Sequence, residues 1–242
     1  MRKYVLSLCQ IILIDKVVKN LLNLFFPKLC FGCRHILSDN EVDICTSCRH
    51  ELPVTNYHLK LENPVEKVFY GRVKIERATA LFRFHKKGLV QQLLHNLKYR
   101  GQEGISRSLG KWMGHDLDAT GDYDTIDYVI PVPLHKKKLR KRGFNQVSKF
   151  GQEIAAYLNA TYAEDVLIKT SSTATQVFKK RFARWSANAE VFNLKNTSGL
   201  HGKHLLLVDD IITTGATIEA CASKLQSIPN IKISVATMAI AD

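Results

Sequence analysis

Negative charge is scarce in this sequence. Its 242 residues carry 22 acidic side chains against 35 lysines and arginines, which gives a formal net charge of +13. A surplus of that size indicates an anionic partner. Nucleic acid, a polyphosphate, a phosphorylated small molecule and a membrane surface all satisfy this condition.

Long uncharged apolar runs are also missing, although residues 1–26 are rich in apolar side chains. Arg2 and Lys3 precede an apolar stretch, as in a signal peptide, but Gln10 and Asp15 interrupt it and no small-residue cleavage site follows. The stretch is too short to span a bilayer. Its apolar side chains continue at helical spacing after Asp15, which predicts an amphipathic helix packed on the rest of the protein. We therefore expect a cytoplasmic protein without a transmembrane span.

Internal repeats and low-complexity tracts are absent as well. We divide the chain into residues 1–60, with the leading helix and a cysteine module, and residues 61–242, which alternate strands and helices. Strands are predicted at 78–84, 126–130, 166–168, 205–208 and 233–236, and helices near 89–97, 105–112, 144–158 and 218–225. This rhythm predicts an α/β fold with an open, mostly parallel sheet. Ligands of such sheets bind beyond the carboxyl ends of the strands, so the loops after residues 130 and 208 are of most interest.

Cysteines are few, and most of them are paired. Two Cys-x-x-Cys motifs contain Cys30, Cys33, Cys45 and Cys48. In a reducing compartment this pattern favours metal over disulfides. Two such knuckles complete a tetrahedral thiolate site that leaves no coordination position open, so we expect a structural zinc ion. His35 and His50 lie beside the knuckles and are alternative ligands.

The stretch from His204 to Thr217 predicts a ribose-phosphate site. An apolar strand is followed by two adjacent carboxylates, Asp209 and Asp210. These would repel a phosphate, but they can accept hydrogen bonds from the vicinal hydroxyls of a ribose. A loop of small residues then opens a helix, and its backbone N–H groups and hydroxyls can bind an anion. The loop consists of Thr213, Thr214, Gly215, Ala216 and Thr217.

Two segments concentrate the positive charge. The first, residues 134–149, contains no acidic residue and follows a predicted strand at the ligand end of the sheet. Its cations are Lys136, Lys137, Lys138, Arg140, Lys141, Arg142 and Lys149. The second segment places Phe178, Phe182 and Trp185 among Lys179, Lys180, Arg181 and Arg184. This mixture suits a hood that closes over a ligand and equally a groove for single-stranded DNA, because base stacking (about 1–3 kcal/mol) and a charged hydrogen bond (about 1.5–3 kcal/mol) are of similar strength.

These motifs bring two resemblances. The stretch from Val208 to Thr217 resembles the phosphoribosyl-pyrophosphate motif of type I phosphoribosyltransferases. A second set of motifs is spread over nearly the whole chain: Lys98-Tyr99-Arg100-Gly101, Pro131-Val132-Pro133-Leu134-His135, Arg140-Lys141-Arg142-Gly143-Phe144-Asn145-Gln146, Thr175-Gln176, the segment 181–188 and the paired cysteines. Together these motifs resemble the ComF family of competence proteins.

The resemblance implies a type I phosphoribosyltransferase-like domain with an N-terminal zinc ribbon and a role in DNA uptake during natural transformation. It implies that Asp209 and Asp210 hold the ribose hydroxyls and that residues 213–217 hold the 5′-phosphate. Leu134, His135 and Lys136 would form the pyrophosphate loop, with Mg²⁺ accompanying the ligand. A protein of the DNA-uptake machinery is a further expected partner.

Two functions stay open at this point. The first is a protein that binds phosphoribosyl pyrophosphate or a ribose 5-phosphate ligand and can act as a phosphoribosyltransferase. The second is a single-stranded DNA-binding competence factor whose phosphate site is non-catalytic. No residue stands out as a general base or as a reader of an acceptor base, so no catalytic residue is assigned. A transcriptional regulator is disfavoured because the sequence has no helix-turn-helix pattern.

Overall fold

The structure is a computed structural model that describes residues 25–170 and 192–241. The predicted leading helix, apart from its last residues, and the predicted basic and aromatic segment 178–185 lie outside these ranges. The chain forms two compact units, one ending at Glu51 and the other beginning at Leu52. None of the helices in the described ranges has the length and hydropathy that a membrane crossing needs.

The N-terminal unit is organised around its cysteines. Two short antiparallel bridges, Leu29 with Ile36 and Val42 with Ile44, precede the helix α1 (Thr46–Glu51). Cys30 and Cys48 are buried, whereas Ile36 and Val42 are largely exposed. The centre of this unit is therefore formed by thiol groups rather than by large apolar side chains.

The second unit begins before the boundary that the sequence suggested near residue 60. Val54 forms a bridge with Phe82, and the Thr55 N–H donates to the Leu81 carbonyl at 3.0 Å. A short 3₁₀ turn, Tyr57–Leu59, follows. Residues 52–60 thus join the sheet of the second unit.

A five-stranded sheet forms the base of the second unit. Its strands are β1 (Ala78–Phe84), β2 (Tyr128–Pro131), β3 (Thr161–Tyr162), β6 (His204–Ile212) and β7 (Lys232–Ala241). Their order is β1-β7-β6-β2-β3, and every neighbouring pair is parallel. The predicted α/β class, with an open, mostly parallel sheet and a small four-cysteine module, is confirmed.

A separate ribbon accounts for one predicted strand. The strand expected at residues 166–168 is present as β4 (Leu167–Lys169), but it pairs antiparallel with β5 (Phe192–Leu194) outside the main sheet. This ribbon borders the segment 171–191 on both sides.

The helices largely follow the apolar periodicity of the sequence. They are α2 (Pro64–Lys67), α3 (Leu89–Tyr99), α4 (Glu103–Asp118), α5 (Lys136–Arg142), α6 (Ser148–Tyr157) and α7 (Ala216–Leu225). Helices α4 and α6 approach closely at Gly110, where an added Cβ would lie 2.7 Å from the Phe150 carbonyl oxygen. Residues 136–142, expected as part of a loop, form the helix α5.

The core lies under β6 and β7. Leu205, Leu206, Leu207 and Val208 are completely buried, as expected for a strand covered on both faces. Full burial of each such side chain contributes about 1.5–3 kcal/mol. This rigid centre supports the carboxyl end of β6, where the predicted site lies.

Candidate functional site

The site lies between two neighbouring strands whose following connections run toward opposite edges of the sheet. Strands β2 and β6 are parallel neighbours with Pro131 opposite Val208, and the Val132 N–H donates to the Val208 carbonyl at 2.9 Å. The chain continues from β2 to β3 on one side and from β6 to β7 on the other. The ends of β2 and β6 therefore form a topological switch point, and the ligands of open α/β sheets bind at the carboxyl edge of such a point.

The acidic pair lies inside β6 rather than beyond its end. The strand expected at 205–208 continues to Ile212 and includes Asp209 and Asp210. Consecutive residues of a strand point to opposite faces of the sheet. The two carboxylates accordingly have different neighbours, although they are adjacent in the sequence.

Asp210 is held by two donors from distant parts of the chain. Its Oδ2 accepts a hydrogen bond from Gln146 Nε2 at 2.6 Å and lies 2.9 Å from Lys98 Nζ. The side chain of Asp210 is 9% exposed and that of Lys98 is 21% exposed, so the ion pair is shielded from water. Neither donor was predicted as a site residue, although both lie in motifs that carry the family resemblance.

Asp209 accepts fewer hydrogen bonds than Asp210. Its Oδ1 accepts the backbone N–H of Asp210 at 2.8 Å. Burial and the neighbouring charge of Asp210 raise the pKa of Asp209 to about 7, against the opposing influence of Lys98 and Lys169. Asp209 therefore changes between its protonated and its charged form near neutral pH.

The predicted phosphate loop turns sharply at Gly215. This residue has a φ of 75° and precedes α7, and a Cβ there would overlap Val68 Cγ1. Glycine is thus required by the backbone conformation and by the close approach of residue 68. The side chains of Thr213, Thr214 and Thr217 are exposed around the first turn of α7, where free N–H groups favour an anion.

Arg72 stabilises this loop, and it was not predicted from the sequence as a site residue. Its guanidinium donates to the Thr214 carbonyl at 2.7 Å and forms an ion pair with Glu219, which lies in the first turn of α7. A carboxylate at that position would repel a phosphate at the helix N-terminus. The pairing with Arg72 offsets this repulsion and fixes the backbone of the loop.

The predicted pyrophosphate loop leads directly into α5. Leu134 and His135 are partly buried, and the His135 ring accepts the Lys137 N–H at 3.2 Å as the cap of the helix. Lys136 is exposed at the first helical position, and no residue of α5 is buried. Four of the remaining predicted cations project from the same helix, namely Lys137, Lys138, Arg140 and Lys141.

Arg142, at the end of α5, differs from the other cations of this helix. It donates to Gln146 Oε1 at 2.7 Å and lies over the Tyr99 ring at 5.6 Å. It therefore connects the basic helix to the donor of Asp210. The predicted cations Lys179, Lys180, Arg181 and Arg184 lie outside the described residues.

The four cysteines meet in the N-terminal unit. The sulfur atoms of Cys30, Cys33, Cys45 and Cys48 all lie within 4.8 Å of one another. Cys30 Sγ accepts N–H groups from Gly32 at 3.3 Å and from Cys45 at 3.2 Å. Burial opposes ionisation of this thiol, but backbone N–H donors outweigh burial and lower the pKa of Cys30 to about 7. These four sulfur ligands fit a tetrahedral thiolate site and could hold a zinc ion, and the histidines beside them are not members of the cluster.

Comparison with known proteins identifies the family. No family model matches the chain. DNA utilization protein YhgH of Salmonella typhimurium is 30% identical to it over 219 residues, which cover 82% of this chain and 91% of the relative. Competence protein F of Haemophilus influenzae is 24% identical over 219 residues, which cover 84% and 93%. Among solved structures, adenine phosphoribosyltransferase from Saccharomyces cerevisiae is similar with 17% identity and a TM-score of 0.38, covering 59% of this chain and 72% of that one. The match to the Salmonella protein, at 30% identity over more than two thirds of both chains, shows that this chain belongs to the ComF family.

Proposed function

We propose that this protein binds phosphoribosyl pyrophosphate, or a similar ribose 5-phosphate ligand, together with Mg²⁺ and acts in DNA uptake. The observation that carries the proposal is the meeting of three features at one edge of the sheet: an acidic pair, a small-residue loop that opens a helix, and a basic helix. The names of its relatives, which refer to DNA utilization and competence, support the biological role.

The ligand would lie across the carboxyl ends of β2 and β6. The first turn of α7, with the hydroxyls of Thr213, Thr214 and Thr217, binds the 5′-phosphate. The acidic pair accepts hydrogen bonds from the ribose hydroxyls. Residues 134–136 and the exposed lysines of α5 face the pyrophosphate. The pyrophosphate would bring Mg²⁺ with it, because its oxygens are the ligands that this ion prefers, and the ion would offset the negative charge of the leaving group.

Transfer of the phosphoribosyl group is the reaction that such a site supports. An acceptor forms a bond to the anomeric carbon with its lone pair, and the bond to pyrophosphate breaks, so that pyrophosphate leaves with that electron pair. The protein contributes mainly by positioning the ligand and stabilising the charge that develops on pyrophosphate. No residue is assigned as a general base.

The test is isothermal titration of the full chain with phosphoribosyl pyrophosphate and Mg²⁺. Replacing Asp209→Ala together with Asp210→Ala should abolish binding while the fold remains. A matched control is Glu164→Ala with Asp165→Ala, an exposed acidic pair elsewhere in the same unit. Unchanged affinity of the Asp209 and Asp210 double variant would reject the site.

A second candidate function is binding of single-stranded DNA by a non-catalytic phosphate site. It is favoured by α5, a short helix with six basic residues and no buried side chain. If six phosphates are contacted, the logarithm of the affinity should fall with the logarithm of salt concentration at a slope of about −4. A flat salt response would eliminate this candidate.

Competition separates the two functions. The titration with phosphoribosyl pyrophosphate is repeated with single-stranded DNA already bound. Binding that DNA blocks would place both ligands on one basic surface. Binding that DNA leaves unchanged would separate their sites and direct the search toward an acceptor substrate.

A further inference from the structure

The two carboxylates of the acidic pair are supported unequally. Asp210 Oδ2 receives Lys98 from the end of α3 and Gln146 from the turn between α5 and α6. Asp209 accepts one backbone N–H, and within the described parts of the chain no side chain donates to it. Two donors on the same oxygen fix the orientation of the Asp210 carboxylate.

The two donors are themselves held in place. Gln146 Oε1 accepts from Arg142 at 2.7 Å, and the Gln146 carbonyl accepts from Ser106 Oγ at 2.5 Å. Arg142 also lies over the ring of Tyr99, the residue next to Lys98. Lys98 and Gln146 therefore belong to one closed network that joins α3, α5 and the acidic pair.

We propose that Lys98 and Gln146 are positioning residues: they hold the Asp210 carboxylate with Oδ2 occupied, so that Oδ1 is left to accept a hydrogen bond from a ligand hydroxyl. This inference rests on the proposed function for the identity of the ligand. The two carboxylates then have different tasks, because Asp210 is an oriented acceptor, whereas no side chain in the described parts of the chain orients Asp209.

The charged groups around the pair affect the protonation of Asp209. Lys98 of α3 and Lys169 of β4 lower its pKa, the charge of Asp210 raises it, and Asp209 in turn raises the pKa of the buried Cys221 thiol of α7. Removing Lys98 takes away the cation in direct contact with Asp210. Asp209, whose pKa Lys98 lowers, should then bind a proton more tightly.

The first experiment titrates the aspartate carboxyls by ¹³C NMR in the full chain. Lys98→Met should raise the pKa of Asp209 by about one unit or more, because Lys98 lowers it in the wild type, and one unit equals a tenfold change in the proton equilibrium. Lys98→Arg, which keeps the charge, should restore the original titration. Lys98→Gln keeps a donor without the charge and reports on the same question if the methionine variant does not fold. Lys111→Met, an exposed lysine of α4, is the control.

The second experiment measures binding of ribose 5-phosphate between pH 5.5 and 8.5. Lys98→Met should weaken binding about tenfold at pH 7 and shift the pH dependence upward, while Lys98→Arg should retain binding. Equal binding by the wild type and Lys98→Met at every pH would overturn the positioning role and leave the proposed function standing. If the wild type binds neither this probe nor phosphoribosyl pyrophosphate, the proposed function fails, and the carboxyl titration still decides the role of Lys98. An unchanged titration in Lys98→Met would overturn the inference.

Discussion

The two units of this protein are stabilised in different ways. In the N-terminal unit four thiols occupy the centre, and apolar side chains such as Ile36 and Val42 face outward. In the α/β unit a buried strand of Leu205, Leu206, Leu207 and Val208 forms the centre. The first unit therefore has a cluster of four cysteines that could hold a metal ion where the second unit has an apolar core, and that core can support charged groups at the edge of its sheet.

The largest expected effect is loss of the metal. Cys48→Ser should unfold residues 25–51, because thiolate ligation of zinc contributes on the order of 10 kcal/mol to such a segment. The α/β unit should keep its thermal transition. Zinc content and limited proteolysis measure both results. Cys221→Ala, a buried cysteine of α7, is the control and should leave the zinc content unchanged. A Cys48→Ser chain that retains zinc and protection would contradict the dependence on thiolates.

The reciprocal change is made in the apolar core. Leu207→Ala should lower the free energy of unfolding of the α/β unit by about 2–5 kcal/mol, the usual cost of a cavity at a fully buried leucine. Zinc content should not change. Chemical denaturation followed by far-ultraviolet circular dichroism measures the loss. Leu139→Ala, at a position 41% exposed, should cost far less. A loss of zinc in Leu207→Ala would show that the two units are not independent.

The same contrast explains what could be predicted from the sequence. The central strand β6 is marked in the sequence by an apolar run, and the four-cysteine module is marked by two Cys-x-x-Cys pairs, so both can be recognised from local patterns. Gly215 is also recognisable, because a sharp turn before a helix favours glycine. The close approach of Gly215 to Val68 is not recognisable in the sequence, because that contact joins residues far apart in the chain.

Helix α5 and the two donors to Asp210 could not be predicted from such local patterns. Residues 136–142 have one apolar side chain, Leu139, so no hydrophobic periodicity marks a helix there. Local signals were present, because His135 caps its start and Gly143 ends it with a φ of 81°. The contacts of Lys98 and Gln146 with Asp210 form only when three separate segments fold together.

A smaller effect on stability is expected from the carboxylates at the edge of the sheet. Asp209→Asn should stabilise the α/β unit by about 1–2 kcal/mol at pH 8, less than the full linkage value because Asp209 is partly exposed. The raised pKa of about 7 means that the folded protein keeps a proton that the unfolded chain releases near pH 4. Wild-type stability from this group is therefore lost as the pH rises from about 4 to 7, and the advantage of the variant should grow over that window.

Denaturation at pH 5 and at pH 8 measures the difference between Asp209→Asn and the wild type. Asp210→Asn is the matched comparison, and it should be destabilising because it removes the charged partner of Lys98. Equal behaviour of the two variants would mean that the neighbours of the two carboxylates do not distinguish them.

The smallest effect is expected from a polar support within the metal module. Glu41 accepts hydrogen bonds from the Thr46 N–H at 2.6 Å and from the Ser38 N–H and hydroxyl at 3.0 Å each, and the donors from Thr46 and Ser38 lower its pKa to about 2. The stabilisation that the charged Glu41 carboxylate provides is present above the ordinary pKa of glutamate, and it is lost only as the pH falls toward 2. Glu41→Gln should therefore weaken zinc binding by less than about tenfold, equally at pH 6 and pH 8.

Competition with a chelator measures the zinc affinity of Glu41→Gln, with the exposed Glu51→Gln as the control. The glutamine removes one acceptor oxygen from the loop before Thr46, but it leaves all four sulfur ligands in place. A loss of zinc as complete as that of Cys48→Ser would mean that hydrogen bonds of the loop, and not thiolate ligation, determine the stability of this unit. The contrast with the apolar core of the α/β unit would then lie in polar contacts rather than in the metal.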